Sequence, residues 1–164
     1  MKQVQIEHRL ISLAEQPNFE LIQRYMNEGI TVLKPATFWT EDNTYALLIN
    51  GVCIGLIMYG IEQGINGRPF MQLKGLEIFQ KHRNKGYGEI VVGELFERRY
   101  NGRKIHRIVG TSHCNALPFW WKMNANFEAS KESIQAHYEK GYEMVFVLFR
   151  SCYLSRCRRL DLYK

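Results

Sequence analysis

The sequence predicts a mixed α/β fold in which a central sheet is flanked by helices. Two observations support this prediction. Apolar runs of strand length alternate with segments whose apolar residues recur every three or four positions, as in helices. Asn-Gly dipeptides at 50–51, 66–67 and 101–102 fall between these segments, and this dipeptide favours turns. The predicted order is α–β–β–β–α–β–α–β, within one domain that covers residues 1–164.

In the first half of the chain, the pattern predicts one helix and three strands. Apolar residues at helical spacing predict a helix over 17–29, which ends at a glycine. Two buried strands, 44–50 and 52–60, form a hairpin about Asn50-Gly51. After the second Asn-Gly dipeptide, residues 69–79 are predicted to form the third strand.

The second half begins with the clearest helical pattern of the chain. An apolar stripe lies opposite charged residues over 86–100, and the third Asn-Gly dipeptide is predicted to end this helix. A strand is predicted over 104–112, a short aromatic helix over 116–124 and an apolar closing strand over 142–149. The segment 151–164 is predicted to be a basic, solvated C-terminal tail.

The composition is that of a globular protein with a preference for anionic partners. Of the 164 residues, 46% are hydrophobic and 23% are charged, which is sufficient for a core without disulfide or metal cross-links. The formal net charge of +6 favours a nucleotide cofactor, nucleic acid or an acidic surface, without selecting among them.

Cysteine usage and hydropathy favour a cytoplasmic protein. None of the four cysteines belongs to a CxxC pair or to a Cys/His cluster with zinc spacing, so no metal site is predicted. Free thiols are typical of a reducing compartment. The segment 1–9 lacks the apolar core of a signal peptide. The uncharged run 44–61 is interrupted by Asn50-Gly51, so we expect no membrane span.

The segment 76–88 carries the most informative chemical pattern. A strand is predicted to end near Phe79, a short basic loop follows, and two glycines two positions apart open the next helix. The start of a helix presents unpaired N–H groups and the positive end of the helix dipole, so it binds phosphate groups. Arg83 and Lys85 add positive charge. The pattern predicts a pyrophosphate site, although a glycine-rich turn before an amphipathic helix has the same composition. It matches neither a P-loop nor a dinucleotide-binding fingerprint.

Residues 83–88, Arg-Asn-Lys-Gly-Tyr-Gly, resemble the R/Q-x-x-G-x-G/A signature of the GNAT family of N-acetyltransferases. The apolar strand that enters the signature is matched by 76–78. Asn115 stands at the distance of the family's Asn-x-x-Ala-x-x-x-Tyr motif, with Pro118 in place of the alanine, and Asn126-Phe127 replaces the family's Gly-Phe. The resemblance covers about half of the chain.

The resemblance implies a cofactor and its pose. Two neighbouring strands, near 71–79 and 104–112, splay apart, and the pantetheine arm of acetyl-CoA enters the gap as an added strand would. The pyrophosphate lies on the amides of 83–88, and the N–H near Leu76 stabilises the oxyanion formed from the thioester. The residues that the resemblance assigns to the cofactor are Ile78, Phe79, Arg83, Asn84, Lys85, Gly86, Tyr87, Gly88 and Asn115.

Two catalytic positions depart from the family pattern. The tyrosine that protonates the departing thiolate is replaced by Lys122, for which three roles stay open: proton donor, ligand of a CoA phosphate, or solvated lysine. The usual base positions hold Gln72 and Lys74, and neither accepts a proton readily at neutral pH. Strand alternation places Glu77 on the other face unless a bulge intervenes. No base is identified, and the amine is expected to lose its proton to water before it attacks.

His113 and Cys114 precede Asn115 at the end of a predicted strand. A Cys/His pair is a pattern of nucleophilic catalysis, but adjacent residues of a strand point apart. Structural roles are therefore expected for both side chains. Direct attack of the amine on the thioester is expected, with no covalent enzyme intermediate.

Together these observations predict an N-acetyltransferase that uses acetyl-CoA and an amine-bearing acceptor of unidentified class, as a monomer or homodimer. A CoA-binding module without catalysis is the alternative, because the base and the tyrosine are missing. Nucleic-acid binding is a third alternative, which rests on the net charge and on Arg156, Arg158 and Arg159 of the tail, without a recognisable RNA- or DNA-binding motif. Like-charge repulsion disfavours a polycationic acceptor such as a polyamine.

Overall fold

The computed structural model describes residues 4–11, 18–29, 36–40, 43–128, 130–140 and 143–161. The helices within these ranges are α1 (Asn18–Gly29), α2 (Tyr87–Glu97), α3 (Leu117–Lys122), α4 (Lys131–Lys140) and α5 (Arg150–Asp161). The strands are β1 (Glu7–Leu10), β2 (Thr44–Ile49), β3 (Val52–Gln63), β4 (Pro69–Ile78), β5 (Arg99–Tyr100), β6 (Arg103–Lys104), β7 (Arg107–Ser112), β8 (Asn126–Phe127) and β9 (Met144–Phe149). Short 3₁₀ helices cover Ala36–Thr40, Gln80–His82 and Cys114–Ala116.

The strands form a mixed sheet with the order β1-β2-β3-β4-β7-β9-β8, while β5 pairs with β6. β4 and β7 are parallel, with Met71 opposite Ile108 and Leu73 opposite Gly110. β7 and β9 are antiparallel, as are β1 and β2. The predicted mixed α/β class is therefore confirmed. The predicted splaying of β4 and β7 beyond this register stays a prediction.

The residues group into two compact units, 1–60 with 74–94 and 61–73 with 95–164. The prediction of one domain over 1–164 stays a prediction. The core of the first unit contains Ile11, Ile22, Trp39, Ala46, Leu48, Cys53, Leu56, Met58 and Phe79. In the second unit, Trp120 of α3 stacks on Phe146 of β9 with ring centroids 4.0 Å apart. No helix among the described residues is long and apolar enough to cross a membrane.

Two of the Asn-Gly dipeptides form two-residue hairpin turns. Asn50 and Gly51 have φ angles of 51° and 78° between β2 and β3, as predicted. Asn101 and Gly102 have φ angles of 50° and 76° between β5 and β6. The prediction of one helix over 86–100 was wrong at its end, because α2 stops at Glu97 and the residues that follow pair across this second hairpin. Positive φ at both central residues suits a type I′ turn, which joins strands.

Two further predictions are corrected by the structure. The predicted strand 104–112 is divided, since Lys104 pairs with Arg99 in the β5/β6 hairpin and β7 begins at Arg107. The predicted solvated tail, 151–164, was wrong for 151–161, which belong to α5. Tyr153 of α5 stacks on Phe96, with ring centroids 5.3 Å apart, and the structure buries Arg156. A segment that the sequence presents mainly as charge therefore forms a helix with packed side chains.

Candidate functional site

Strand β4 carries Gln72 and Lys74, the residues at the family's usual base positions, on one face. Gln72 and Lys74 are exposed, and Leu76 on the same face is half-buried. Leu73 and Glu77 of the opposite face are buried. Because the buried residues keep one parity on both sides of position 75, Glu77 shares the buried face of Leu73, opposite to Gln72. The expectation that Glu77 lies on the other face is confirmed.

The connection between β4 and α2 contains a run of backbone amides that have no partner in the part of the chain that the structure describes. The N–H groups of His82 and Arg83 close the 3₁₀ turn, at 2.8 and 3.2 Å from their carbonyl acceptors. Backbone donation resumes at Glu89, whose N–H lies 3.1 Å from the carbonyl oxygen of Gly86. Between these points, the N–H groups of 84–88 have no hydrogen-bond partner among the described residues. Exposed amide donors at the start of a helix are a site for an anion.

Two left-handed residues shape this connection. Asn84 has a φ angle of 60° and Gly86 a φ angle of 78°. Left-handed residues interspersed in a turn bring successive N–H groups to one concave side, which is the geometry of an anion-binding nest. A Cβ atom on Gly86 would meet no protein atom within 4 Å, so the backbone there is open to a ligand. The geometry fits a pyrophosphate, as the sequence predicts.

The positive charge beside the amides does not come from His82, whose neighbours Lys81 and Lys85 are charged. Burial lowers the pKa of His82, and the nearby positive charges of Lys81 and Lys85 lower it further. The Nε2 atom of His82 is buried and has no hydrogen-bond partner among the described residues. The imidazole is therefore neutral at pH 7, and an anion bound nearby would favour its protonation.

Arg83 is directed toward the end of β4. Its Nε donates to the carbonyl oxygen of Ile78 at 2.8 Å, and its Nη2 lies 3.5 Å from Oε1 of Glu77. The side chain of Glu77 is only 2% exposed, whereas that of Arg83 is 40% exposed. The sequence prediction assigned Arg83 to the phosphates and gave Glu77 no partner. The contact between Glu77 and Arg83 was not predicted. A sequence signal for it exists, because the two opposite charges lie six residues apart on either side of a predicted turn.

Phe79, which the resemblance assigns to the cofactor, makes several protein contacts. Its side chain is fully buried in the core of the first unit. Its N–H donates to the carbonyl oxygen of Ile54 at 2.9 Å, and its own carbonyl accepts from His82 at 2.8 Å. The side chain and both backbone groups are therefore occupied by protein contacts. The assignment of Phe79 to the cofactor stays a prediction, and the second lone pair of its carbonyl oxygen is the acceptor left for such a contact.

In the second unit, β7 leads directly to Asn115. His113 caps the 3₁₀ turn at the end of β7, because its Nδ1 accepts from the N–H of Asn115 at 3.3 Å. The same Nδ1 lies 3.5 Å from Sγ of Cys114. The expectation that His113 and Cys114 point apart was wrong, because β7 ends at Ser112 and strand alternation no longer applies. The expected structural role of His113 is seen as the cap, and Asn115 is exposed next to it.

Helix α3 carries Lys122 as its last residue, and this lysine is exposed. Pro118 lies in the first turn of α3, where the missing N–H of proline removes no helical hydrogen bond. The proline that replaces the family's alanine is therefore compatible with the helix. The three roles that the sequence leaves open for Lys122 stay predictions.

Comparisons with known proteins agree with this geometry. The model of the acetyltransferase (GNAT) family matches residues 10–124. Sequence comparison with curated proteins finds no match. N-acetylglutamate synthase from Neisseria gonorrhoeae, solved with coenzyme A and N-acetyl-glutamate, is 15% identical with a TM-score of 0.54 over 91% of this chain. This chain corresponds to 36% of that protein.

Two smaller proteins align over nearly their full length. The Bacillus subtilis N-acetyltransferase YlbP, solved with coenzyme A, is 14% identical with a TM-score of 0.53, over 91% of this chain and 98% of that chain. Arabidopsis thaliana Naa50, solved with the bisubstrate analogue CoA-Ac-MVNAL, is 16% identical with a TM-score of 0.52, over 88% of this chain and 97% of that chain. At these identities the structural similarity concerns the fold.

Proposed function

Because the chain belongs to the GNAT family of acetyltransferases, we propose that it transfers the acetyl group of acetyl-CoA to an amine acceptor. The observation that carries the proposal is the run of unpartnered amides at 84–88, at the start of α2. Two of the structurally similar proteins were solved with coenzyme A, which supports the choice of cofactor. Free thiols at all four cysteines agree with the further proposal of a reducing, cytoplasmic location.

The amides of 84–88 are proposed to hold the pyrophosphate, with Lys85 adding charge and Tyr87 and Gly88 belonging to the first turn of α2. The exposed amide of Asn115 is proposed to bind the pantetheine arm, and Ile78 to line its path. Acetyl-CoA supplies an activated acetyl thioester when bound. The N–H of Leu76 is proposed to donate to the thioester oxygen as negative charge develops there.

Two proton transfers are proposed: Lys122 protonates the departing thiolate, and water accepts the proton of the acceptor ammonium. With acetyl-CoA bound, the amine nitrogen would replace the sulfur at the acetyl carbon, and Lys122 would donate a proton to the departing thiolate. The proton that the new amide nitrogen loses would return to Lys122 through water. Gln72 and Lys74 are the exposed residues of the strand face expected to meet the acceptor, and Gln72 is proposed to orient the amine by a hydrogen bond. The ammonium of the acceptor loses its proton to water, so kcat/KM should rise with pH until the acceptor is neutral.

The experiment is a screen of amines with acetyl-CoA that follows thiol release. Free amino acids, peptides with a free N-terminus, lysine side chains and polyamines form its arms, and the peptide arm is motivated by the peptide analogue bound to Naa50. Turnover with any of these acceptors supports the enzyme. CoA binding without turnover in any arm would instead identify a non-catalytic CoA-binding module, the alternative favoured by the missing tyrosine and base.

Substitution of Lys122 separates its three roles. If Lys122 is the proton donor, Lys122→Ala and Lys122→Arg both lower kcat by roughly a hundredfold, the scale of general acid catalysis. A phosphate ligand would be rescued by Lys122→Arg, because arginine keeps the charge but does not give up its proton. Unchanged kinetics in both variants would identify a solvated lysine and contradict the proposed role.

The pH–rate profile of kcat/KM tests the absence of a protein base. The profile of wild type and of His113→Ala should follow the ionisation of the acceptor amine alone. A loss of activity of about a hundredfold in His113→Ala, with folding and CoA binding intact, would contradict this mechanism and identify His113 as the base.

A further inference from the structure

The contact of Glu77 with Arg83 crosses the connection that carries the unpartnered amides. Arg83 makes two contacts with the end of β4, one from Nε to the carbonyl oxygen of Ile78 at 2.8 Å and one from Nη2 to Glu77 at 3.5 Å. Both contacts reach back over five or six residues to the strand from which the connection departs. The guanidinium therefore ties the start of the 84–88 run to β4.

Burial makes Glu77 an unusual choice at this position. Its side chain is 2% exposed, and transfer of a carboxylate from water into such an environment is strongly unfavourable unless charges and hydrogen bonds compensate for it. An apolar residue would fill the buried face of β4 without this penalty. Arg83 supplies an opposite charge from the loop, which makes the carboxylate a fixed anchor for that loop.

The connection needs such an anchor because its backbone is otherwise weakly restrained. Asn84 and Gly86 adopt left-handed conformations, and the N–H groups of 84–88 make no hydrogen bonds among the described residues that would hold their directions. Amide donors bind an anion more tightly when their directions are set before binding, because less entropy is lost on binding. A tie placed directly before Asn84 supplies this order.

We propose that Glu77 is a positioning residue for the phosphate-binding amides, and that it acts through Arg83, whose main task is to hold the loop and not to neutralise phosphate. This inference rests on the proposed function, since it assigns the amides to the pyrophosphate of CoA. Arginine suits this role at position 83 because its planar fork donates in two directions, whereas lysine presents one ammonium group.

The direction in which one substitution changes the affinity for CoA distinguishes a positioning role from simple electrostatic repulsion. Glu77→Gln keeps the size of the side chain and removes a negative charge close to the phosphate site. If only charge mattered, CoA would bind more tightly, because repulsion is removed. If Glu77 positions the loop, CoA binds more weakly, by roughly tenfold, which is the scale of one charge-assisted hydrogen bond.

The test is calorimetry of CoA binding to wild type, Glu77→Gln, Arg83→Lys and the double variant, with Glu62→Gln as the control for the same charge change at an exposed site. We expect each single variant to lose roughly tenfold in affinity, the double variant to lose no more than either single variant, and the control to match wild type. Wild-type affinity in Arg83→Lys would overturn the inference, as would tighter binding in Glu77→Gln.

Amide hydrogen exchange of the CoA-free protein gives a second measurement. Exchange at 84–88 should be faster in Arg83→Lys than in wild type, while the exchange of β2 and β3 is unchanged. Arg83 is 40% exposed, so this variant tests the loop even if Glu77→Gln does not fold. Faster exchange combined with no CoA binding in wild type would reject the proposed function and keep the tie. Unchanged exchange and unchanged affinity in Arg83→Lys would reject the tie and keep the proposed function.

Discussion

At the scale of single residues, asparagine and glycine adopt the same left-handed backbone conformation in the connection between β4 and α2. Asn84 and Gly86 are both left-handed, with φ angles of 60° and 78°. Asparagine tolerates this conformation, whereas most residues with a Cβ atom are destabilised there by about 1–2 kcal/mol. At Gly86, a Cβ atom would meet no protein atom within 4 Å, which leaves space for the proposed ligand.

Gly86→Ala is therefore expected to weaken CoA binding, and Asn84→Gly is expected to keep most of it. Alanine at position 86 clashes with no protein atom, so its effect comes from the positive φ and from the methyl group in the ligand's space. Glycine at position 84 keeps the left-handed conformation. Calorimetric titration with CoA measures both variants, with melting temperatures as the folding control. Equal affinities in the two variants would show that the amides beside Gly86 are not the site.

His82 gives the loop a pH dependence. The folded protein lowers the pKa of His82 from 6.5 through burial and the charges of Lys81 and Lys85. Phosphate groups nearby would raise that pKa, so CoA binding is coupled to proton uptake and should tighten as the pH falls from 8 toward 6. We expect His82→Gln to remove the part of this dependence that exceeds the titration of CoA itself. If CoA affinity depends on pH in the same way in wild type and in His82→Gln, the proposed coupling to His82 is contradicted.

The lowered pKa of His82 also has a consequence for the free protein. Between pH 6.5 and the lower folded pKa, the unfolded chain binds more protons than the folded chain. The contribution of His82 to stability is therefore present above 6.5 and is lost as the pH falls through the folded pKa. Because the side chain is partly exposed, solvent screening reduces this contribution.

At the scale of elements, packing between segments explains a residue type that the local sequence pattern does not explain. Gly75 lies in the middle of β4, a position where glycine is unfavourable by itself. A Cβ atom there would lie 2.8 Å from Cε1 of Phe38 and 2.9 Å from Cη2 of Trp39. The aromatic pair of the 3₁₀ helix at Ala36–Thr40 therefore packs directly on the backbone of β4, next to Leu76.

Gly75→Ala is expected to lower the free energy of unfolding by about 1–3 kcal/mol, the range for overpacking of a core. Gly60→Ala is the matched control, because Gly60 lies in β3 and a Cβ atom there meets nothing within 4 Å. Denaturant unfolding of both variants measures the difference. If the two variants are equally stable, the rings of Phe38 and Trp39 move aside without loss, and the close packing on β4 has no energetic weight.

At the scale of the whole molecule, the net charge of +6 bears on the choice of acceptor. Long-range repulsion between a basic protein and a polycation is screened by salt, since the Debye length falls from about 10 Å at 0.1 M to about 3 Å at 1 M. With saturating acetyl-CoA, the KM for a polyamine is expected to exceed that for a monoamine severalfold at low salt, and the ratio should shrink at high salt. Steady-state kinetics at both salt concentrations measure this ratio, and a ratio that does not change with salt would contradict the electrostatic argument.

The sequence by itself determined the mixed α/β class, the first helix, the β2/β3 hairpin and the connection from β4 to α2. These features depend on preferences that act over a few residues, such as helical periodicity and the positive φ angles favoured by Asn50-Gly51 and Gly86. Only the tertiary structure decided that Phe79 joins the core, that His113 caps a turn and that Glu77 meets Arg83. Burial and pairing depend on which distant segments pack together and on where a strand ends. A local pattern does not specify either, and for the same reason residues 151–161 belong to a packed helix where their charges alone predict a solvated tail.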